Sequence, residues 1–388
     1  MKKYLALVLT LVLGLTACGV PAASPPPASA AQSAAAPVSE TAADGTHTVT
    51  DVMDRTVTLP IDIERVVITF NIEEYLAVSG ETGVDKLVGF SHAYWEGRRE
   101  DAWTTYTTAF PQLAGLPDVG YNDNISVESI LALRPDVVIM SGAVNYDLVQ
   151  SQLANMEAAG VPVVFVNYHA QTLELHRDST LLLGEVMGQQ ERAQKIVDFY
   201  EEQMAVVSDR IAALGADAPR PSVYMEFSRG VGTYGNSWAD KMWGAMIPQC
   251  GGVNIAAGLS DGNQVDVSAE QVIAADPDVI IFAASPQTDI SDNVALGYGA
   301  DEALAKEHLA AYKDRDGWQH LSAVETDRMG ALYHDLSRHI FDFAGAQFMA
   351  KLLQPELFED VDPEANLRAF FEAFMPVELD GVWTVALS

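Results

Sequence analysis

The residues able to do chemistry fall where short apolar runs stop. Asn71 follows the run Arg65 to Phe70; His92, Tyr94 and Trp95 follow Lys86 to Phe90; Asn145 and Tyr146 follow Asp136 to Met140. In the second half, Arg229, Tyr234, Asn236 and Trp238 follow Ser222 to Phe227, and His334 and Arg338 follow Met329 to Tyr333. If the runs are strands of open α/β sheets, these side chains gather at the carboxyl ends, where such sheets bind ligands. Aromatic rings pack on the flat face of a porphyrin, corrin or catecholate, and arginines pair with an anionic ferric chelate. The mixture suits a large chelated metal held without covalent chemistry. A metal site built by the protein itself has weaker support, because His334 and His339 are five apart and do not share a helix face. A bare divalent cation would need a compact shell of His and carboxylates that the spacing does not reveal. Each candidate also has a plainer role: Trp238 lies near Met242, Trp243 and Met246 at a spacing typical of core, and either arginine suits a carboxylate partner in so acidic a chain.

Covalent catalysis is the alternative of another class. Gly258-Leu-Ser260-Asp-Gly262 fits G-x-S-x-G, the elbow of serine hydrolases, which needs a buried strand before it and a helix after it. Here Asn254 to Ala257 form no buried strand, and Asn263 to Val267 are loop-like. The expectation is therefore no catalytic residue and no cofactor. No Gly-Lys-Ser/Thr phosphate loop is present, so any ATPase must be another chain.

The elements that must position these side chains read as two α/β lobes. The runs named above, with Pro162 to Asn167 and Asp278 to Phe282, alternate with amphipathic segments, the signature of parallel sheets covered by helices. Ahead of them, Thr48 to Pro60 alternates in the manner of a hairpin. Ile196, Tyr200, Met204, Val207, Ile211 and Leu214 form one apolar stripe and predict a long helix from about Leu173 to Leu214. Gly215, Pro219 and Pro221 end it. The expected organisation is a first lobe over 46–170, a connecting helix over 171–215 and a second lobe over 216–388. The two lobes share an echo. Ser126 to Met140 aligns without gaps, at an offset of 142, with Ser268 to Phe282, and seven of fifteen positions are identical. Each copy reads as a Ser N-cap, a Glu in the first turn, an apolar helix face, a Pro-Asp turn and a buried strand.

Composition narrows the function further. Among 388 residues, 22 Lys and Arg face 54 Asp and Glu, a net charge of −32 that repels a phosphate backbone, so nucleic acid is excluded as a partner. Two cysteines rule out a disulfide framework. Lys2 and Lys3, the apolar run Tyr4 to Leu15, and then Thr16, Ala17 and Cys18 have the layout of a secretory signal over residues 1–17, too short to span a membrane. Residues 18–45 are rich in Ala, Pro and Ser and read as a tether. Cys250 is then left without a partner, in the manner of a buried small hydrophobe.

Leu15-Thr16-Ala17-Cys18 looks like the lipobox of bacterial lipoproteins, which implies lipidation at Cys18 and anchorage at the outer face of the cytoplasmic membrane. The doubled Ser-x-Glu helix, Asp54-Arg55-x-Val57-x-Leu59-Pro60, the connecting helix and Gly251-Gly252-Val253-Asn254-Ile255-Ala256 together resemble the substrate-binding lipoproteins of ABC importers for iron complexes and cobalamin. The resemblance implies two Rossmann-like lobes joined by one rigid helix, with the ligand in the cleft between them. It implies that Glu128 and Glu270 pair with arginines of the two permease subunits, which work with an ATPase. It also implies a ferric siderophore or related iron complex as ligand, with cobalamin or haem as the alternative.

Overall fold

The computed structural model describes residues 45–121, 124–215, 217–286 and 290–388. The expected signal segment, the lipidation at Cys18 and the tether up to residue 44 lie outside the described residues. A hairpin, β1 (Thr46–Thr50) and β2 (Thr56–Pro60), opens the fold. The N-terminal lobe is built on β3 (Val66–Ile68), β4 (Leu87–Phe90), β5 (Val137–Ser141) and β6 (Val163–Val166), all parallel, in the order β4-β3-β5-β6. The C-terminal lobe is built on β7 (Ser222–Phe227), β8 (Val253–Asn254), β9 (Val279–Ala284), β10 (Met329–Tyr333) and β11 (Thr384–Ala386), in the order β11-β10-β9-β7-β8. Only β11 in this sheet runs antiparallel to its neighbour. Every residue of β3, β5, β6, β9 and β10 is buried, as expected of apolar strands covered by helices on both faces. The pair Asp54-Arg55 sits at the hairpin turn, where Arg55 bonds Asp51 and the Val163 carbonyl and tacks the hairpin onto β6.

The sequence echo is a structural echo down to its caps. Ser126 accepts from the Ser129 amide, and Ser268 from the Gln271 amide, at the start of helices Val127–Leu133 and Ala269–Ala275. Both helices end on a left-handed residue, Arg134 at φ 47° and Asp276 at φ 41°. The Pro-Asp turn has a duty beyond turning. Asp136 accepts from the amides of Glu64 and Arg65, and Asp278 from the amide of Ser222, so each aspartate ties its helix to the start of that lobe's first strand.

The expected single helix over 173–214 is two helices, Leu173–Val186 and Gln190–Ala213. Gly188 adopts φ 65°, a conformation side chains resist, and the chain folds back there into a helical hairpin. Gly184 makes the turn tight: a Cβ there would lie 2.4 Å from that of Ala193. The stripe that predicted one helix holds within the second, whose Ile196, Tyr200, Val207 and Ile211 are buried. That 24-residue helix, reaching roughly 36 Å, packs against elements of both lobes. Arg192 bonds the carbonyls of Ala77 in one lobe and Phe374 in the other, and Phe199 packs against Phe343, Phe370 and Phe374. No helix among the described residues is long and apolar enough to cross a membrane.

Candidate ligand site between the lobes

The strand ends of the N-terminal lobe carry an aromatic cluster. Phe70, two residues past the end of β3, lies 5.6 Å from Tyr94, 5.6 Å from Tyr121 and 4.9 Å from His169, centroid to centroid. Tyr94 and Tyr121 stack at 4.0 Å. The strand ends of the C-terminal lobe carry a second cluster. His334 stacks on Trp238 at 5.4 Å and meets the edge of Phe227 at 5.0 Å. Arg338 joins the two: it donates to the Tyr94 hydroxyl at 3.0 Å across the lobes, pairs with Asp335 at 3.3 Å, and faces His334 Nε2 at 2.7 Å.

That last contact is not a settled one. Burial and the Arg338 charge push the His334 pKa down to about 3, so the ring is neutral and carries a single proton. Trp243 donates to His334 Nδ1 at 3.2 Å while Arg338 presents an N–H to Nε2. A neutral imidazole accepts at one nitrogen only, so one of the two donors goes unserved. Arg338 Nε, Trp238 Nε1 and Asn236 Nδ2 are also buried without an acceptor. The C-terminal face of the cleft thus carries more donors than acceptors, which is what a ligand rich in anionic oxygen would satisfy.

Four predicted ligand contacts are taken up by structure instead. Trp95 is 2% exposed and lies under Arg99, whose guanidinium carbon is 4.6 Å from the ring centre. Asn145 is fully buried and accepts from the Thr69 hydroxyl and the Ser141 amide, bracing the start of helix Gly142–Ala158. Tyr146 packs edge-on against Phe165. Tyr234 stacks 4.3 Å beneath Arg315 and accepts from Trp318. Asn71 is buried and donates to Glu74, with its carbonyl oxygen free of a partner. His92 is half-buried and stacks on Trp103, and Arg229 is exposed, rimming a depression of about 430 Å³ with Thr233 and Asp292. Trp238 is fully buried, yet its indole faces His334 rather than serving a helix stripe. Phe70, Tyr121 and His169 were missed, although Phe70 and His169 obey the same strand-end rule and Tyr121 follows the loop that bridges to Phe90.

Beneath the aromatic clusters lies a buried ionic network that ties the lobes together. Arg99 takes both oxygens of Glu73 at 2.7 and 2.9 Å and, across the lobes, Asp335 at 2.7 Å. His339 bonds Glu74 at 2.7 Å and lies 3.5 Å from Glu73. Burial works against its charge, but Glu73 and Glu74 outweigh it and raise the His339 pKa; burial likewise opposes ionisation of Glu74, and His339 wins, lowering that pKa. Asp101 adds cross-lobe bonds from the Tyr333 hydroxyl at 3.0 Å and the Tyr298 amide at 3.3 Å. Glu73, Glu74 and His339 have the composition of a cation cage, but Arg99 already occupies Glu73, and the group reads as an ion-pair latch.

Glu128 and Glu270 are both exposed, and each follows a cleft-lining loop. Ser126 begins its helix five residues after Tyr121, and Ser268 follows Val265, which is bridged to Ser237 beside Trp238. Ser260 is half-buried in an irregular segment where its hydroxyl accepts from the Gly262 amide; the strand before it ends at Asn254 and the next helix begins at Ala269, so the strand-to-helix elbow of a hydrolase is not formed.

The family model described as periplasmic binding protein matches residues 72–334, which take in the linking helix and every strand of the two sheets except β3 and β11. The chain belongs to the periplasmic binding protein family. Within it, the chain is 32% identical to the TroA-like periplasmic binding protein FepB from Veillonella parvula, whose crystal structure superposes with a TM-score of 0.83 over 88% of this chain and 99% of that one. It is 22% identical over 351 residues, 84% of this chain and 90% of the relative, to the molybdate-binding protein MolA of Haemophilus influenzae. It is 27% identical over 185 residues, 48% of this chain and 62% of the relative, to the vitamin B12-binding protein of Pectobacterium carotovorum. These relatives bind solutes. The binding protein described here therefore has the two-lobed α/β architecture of solute-binding components of ABC transporters, with an aromatic and arginine cluster where the strand ends of the two lobes meet.

Proposed function

We propose that this protein is an extracytoplasmic lipoprotein, anchored through Cys18, that captures a ferric siderophore or related iron complex and delivers it to an ABC permease dimer served by a separate ATPase. The observation that carries the ligand class is Arg338, a half-buried cation whose Nε lacks an acceptor and which is set between two aromatic clusters. A catecholate-type chelate offers what this site lacks: flat rings for the half-buried Tyr94 and Tyr121, and an anionic oxygen for Arg338 Nε. Cobalamin or haem is the alternative for the same rings. The surplus of donors also favours a second reading, a small oxyanion such as the molybdate bound by MolA, which would need the donors and not the rings.

Tryptophan fluorescence reads ligand binding, with Trp238 coupled to the site through its stack on His334. Titration with a ferric bis-catecholate, haemin, cyanocobalamin and molybdate should give saturable quenching with the first. Saturation with haemin or cobalamin alone moves the assignment to the alternative, with molybdate alone to the second reading, and with none of the four overturns the ligand class. Delivery is tested separately: Glu128→Ala with Glu270→Ala should abolish uptake while quenching is unchanged, because charge pairing with permease arginines orients the complex. Normal uptake in the double variant removes the docking role.

A further inference from the structure

His334 and Arg338 belong to one short segment, and the bonds that hold that segment lie behind it. The Ser337 carbonyl accepts from Gln171 at 2.6 Å, and the Ile340 amide donates to Glu74 at 3.2 Å. Asp342, four residues past Arg338, closes the segment at the start of helix Phe343–Leu353. It is 1% exposed and hydrogen-bonded to the Tyr200 hydroxyl, and its Oδ2 lies 3.5 Å from His176 Nδ1. His176 in turn reaches the other wall of the cleft, because its Nε2 is 3.1 Å from the carbonyl of Tyr168, the residue before His169. One imidazole therefore braces the chain leading to His169 and the chain leaving Arg338.

Counting protons fixes the state of this group. A carbonyl only accepts, so His176 Nε2 carries a proton; burial pushes the ring's pKa down to about 4, so Nδ1 is bare and accepts from Tyr200 at 3.0 Å. That uses the single proton of the hydroxyl. An ionised Asp342 would face two acceptors, the Tyr200 oxygen and His176 Nδ1, with its own Oδ1 already buried without a partner. A protonated Asp342 donates to the Tyr200 oxygen, and all three side chains are served.

We infer that Asp342 is a positioning residue for the ligand site that works as a neutral acid: through Tyr200 and His176 it pins the segment bearing His334 and Arg338 to the two connecting helices, and it releases that segment on ionising. The inference rests on the cleft cluster being the ligand site. Besides Tyr200 and His176, the groups around Asp342 are Glu74 from helix Ile72–Ser79, His339 just before it, and the Cys250 thiol at the end of helix Trp243–Gln249. Burial pushes the Asp342 pKa up to about 8, with Glu74 adding to the rise and Tyr200 and the His339 charge opposing it. Cys250, raised by burial and by Asp342, stays a thiol bonded to the Ala346 carbonyl. Above that pH the carboxylate takes the Tyr200 proton for itself, and the bond to His176 Nδ1 is lost.

Asp342→Asn keeps the shape and a donor but cannot ionise. With a ferric bis-catecholate as probe, the wild-type Kd read by fluorescence quenching should rise roughly tenfold from pH 7 to pH 9, since about one molecule in eleven still holds the proton at pH 9. The variant should stay within about twofold, and the ratio of the two at each pH cancels changes in the chelate itself. Without any ligand, carbethoxylation of His334 by diethyl pyrocarbonate, read by mass spectrometry as wild type over variant, should be near unity at pH 7 and several-fold higher at pH 9. His334 is neutral throughout, so the rise reports access. Urea midpoints check the proton: with a raised folded pKa, the wild-type contribution is full below the unfolded value near 3.9 and lost as pH rises through about 8, so Asp342→Asn should gain on wild type from pH 5 to 8 and then hold. A pH-independent midpoint gap, a flat His334 ratio, or the same loss of affinity in the variant overturns the inference. If the chelate binds neither protein while the His334 ratio rises, the ligand class falls and the positioning role stands.

Discussion

Replacing Arg99 by Met keeps most of the stem that lies over Trp95 and deletes the charge that holds three carboxylate contacts. The Arg99 side chain is 4% exposed, and its partners Glu73 and Asp335 are 1% and 9% exposed, so the loss strands buried anions. Removing one partner of such a pair costs about 3–5 kcal/mol. Part is recovered, because Asp335 keeps Arg338 at 3.3 Å and Glu73 keeps His339 at 3.5 Å, which favours the lower end. If the lobes unfold together, roughly 340 ordered residues at about 2.1 cal/mol/K each turn 3 kcal/mol into a fall in Tm of about 4 °C. The pH dependence distinguishes charge from lost packing. Burial opposes ionisation of Asp335, but Arg99 and then Arg338 hold its pKa far below the carboxylate range. With a depressed folded pKa, its stabilisation is present above the unfolded value near 3.9 and vanishes only as pH falls through the folded one. In Arg99→Met the stranded carboxylates take up protons earlier, so the deficit measured by urea unfolding should be largest near pH 7 and shrink towards pH 4.5. Adding Glu73→Gln and Asp335→Asn should restore much of it. A deficit under about 1 kcal/mol, or one independent of pH, refutes the latch as a charged network.

The other half of the latch titrates in the opposite direction. His339 has a raised folded pKa, so its contribution is full below the unfolded value near 6.5 and lost as pH rises through the folded one. The stability difference between wild type and His339→Gln should therefore narrow on going from pH 6 to the alkaline side, read as urea midpoints, and a constant difference would contradict the ion pair. Asp136→Ala and Asp278→Ala should each cost about 1–2 kcal/mol, because each leaves strand-start amides without their acceptor; losses confined to one of them would show that the echo is not mechanically equivalent in the two lobes.

The fold was legible because its signals are local. Runs such as Val137–Ser141 and Met329–Tyr333 are apolar throughout, and two-sided burial in a parallel sheet needs nothing more specific. The helical hairpin was not read, since the apolar stripe that predicted the helix begins only at Ile196, inside the second helix, and Gly188 alone marks the break before it. Of the residues the strand-end rule named, the structure brings Tyr94, Trp238, His334 and Arg338 together where the lobes meet. It also collected Trp95, Asn145, Tyr146 and Tyr234, because position at a strand end fixes proximity to the cleft and not which way a side chain turns. Glu73, Glu74, Arg99 and Asp335 escaped for the reverse reason: as charged residues in a chain with 54 acidic side chains they resemble solvated surface until their partners are known.

The sequence by itself determined the alternation of strands and helices, the duplicated Ser-x-Glu unit in both lobes, and an acidic character incompatible with nucleic acid. All are properties of neighbours along the chain. The tertiary structure alone decided that Arg99 meets Asp335, that Arg338 spans Tyr94 and His334, and that the two aromatic clusters face one cleft. The cross-lobe pairings among these, Arg99 with Asp335 and Arg338 with Tyr94, join residues more than two hundred positions apart. Their energies come from burying opposite charges together, and burial does not exist until the lobes have closed on the helix between them.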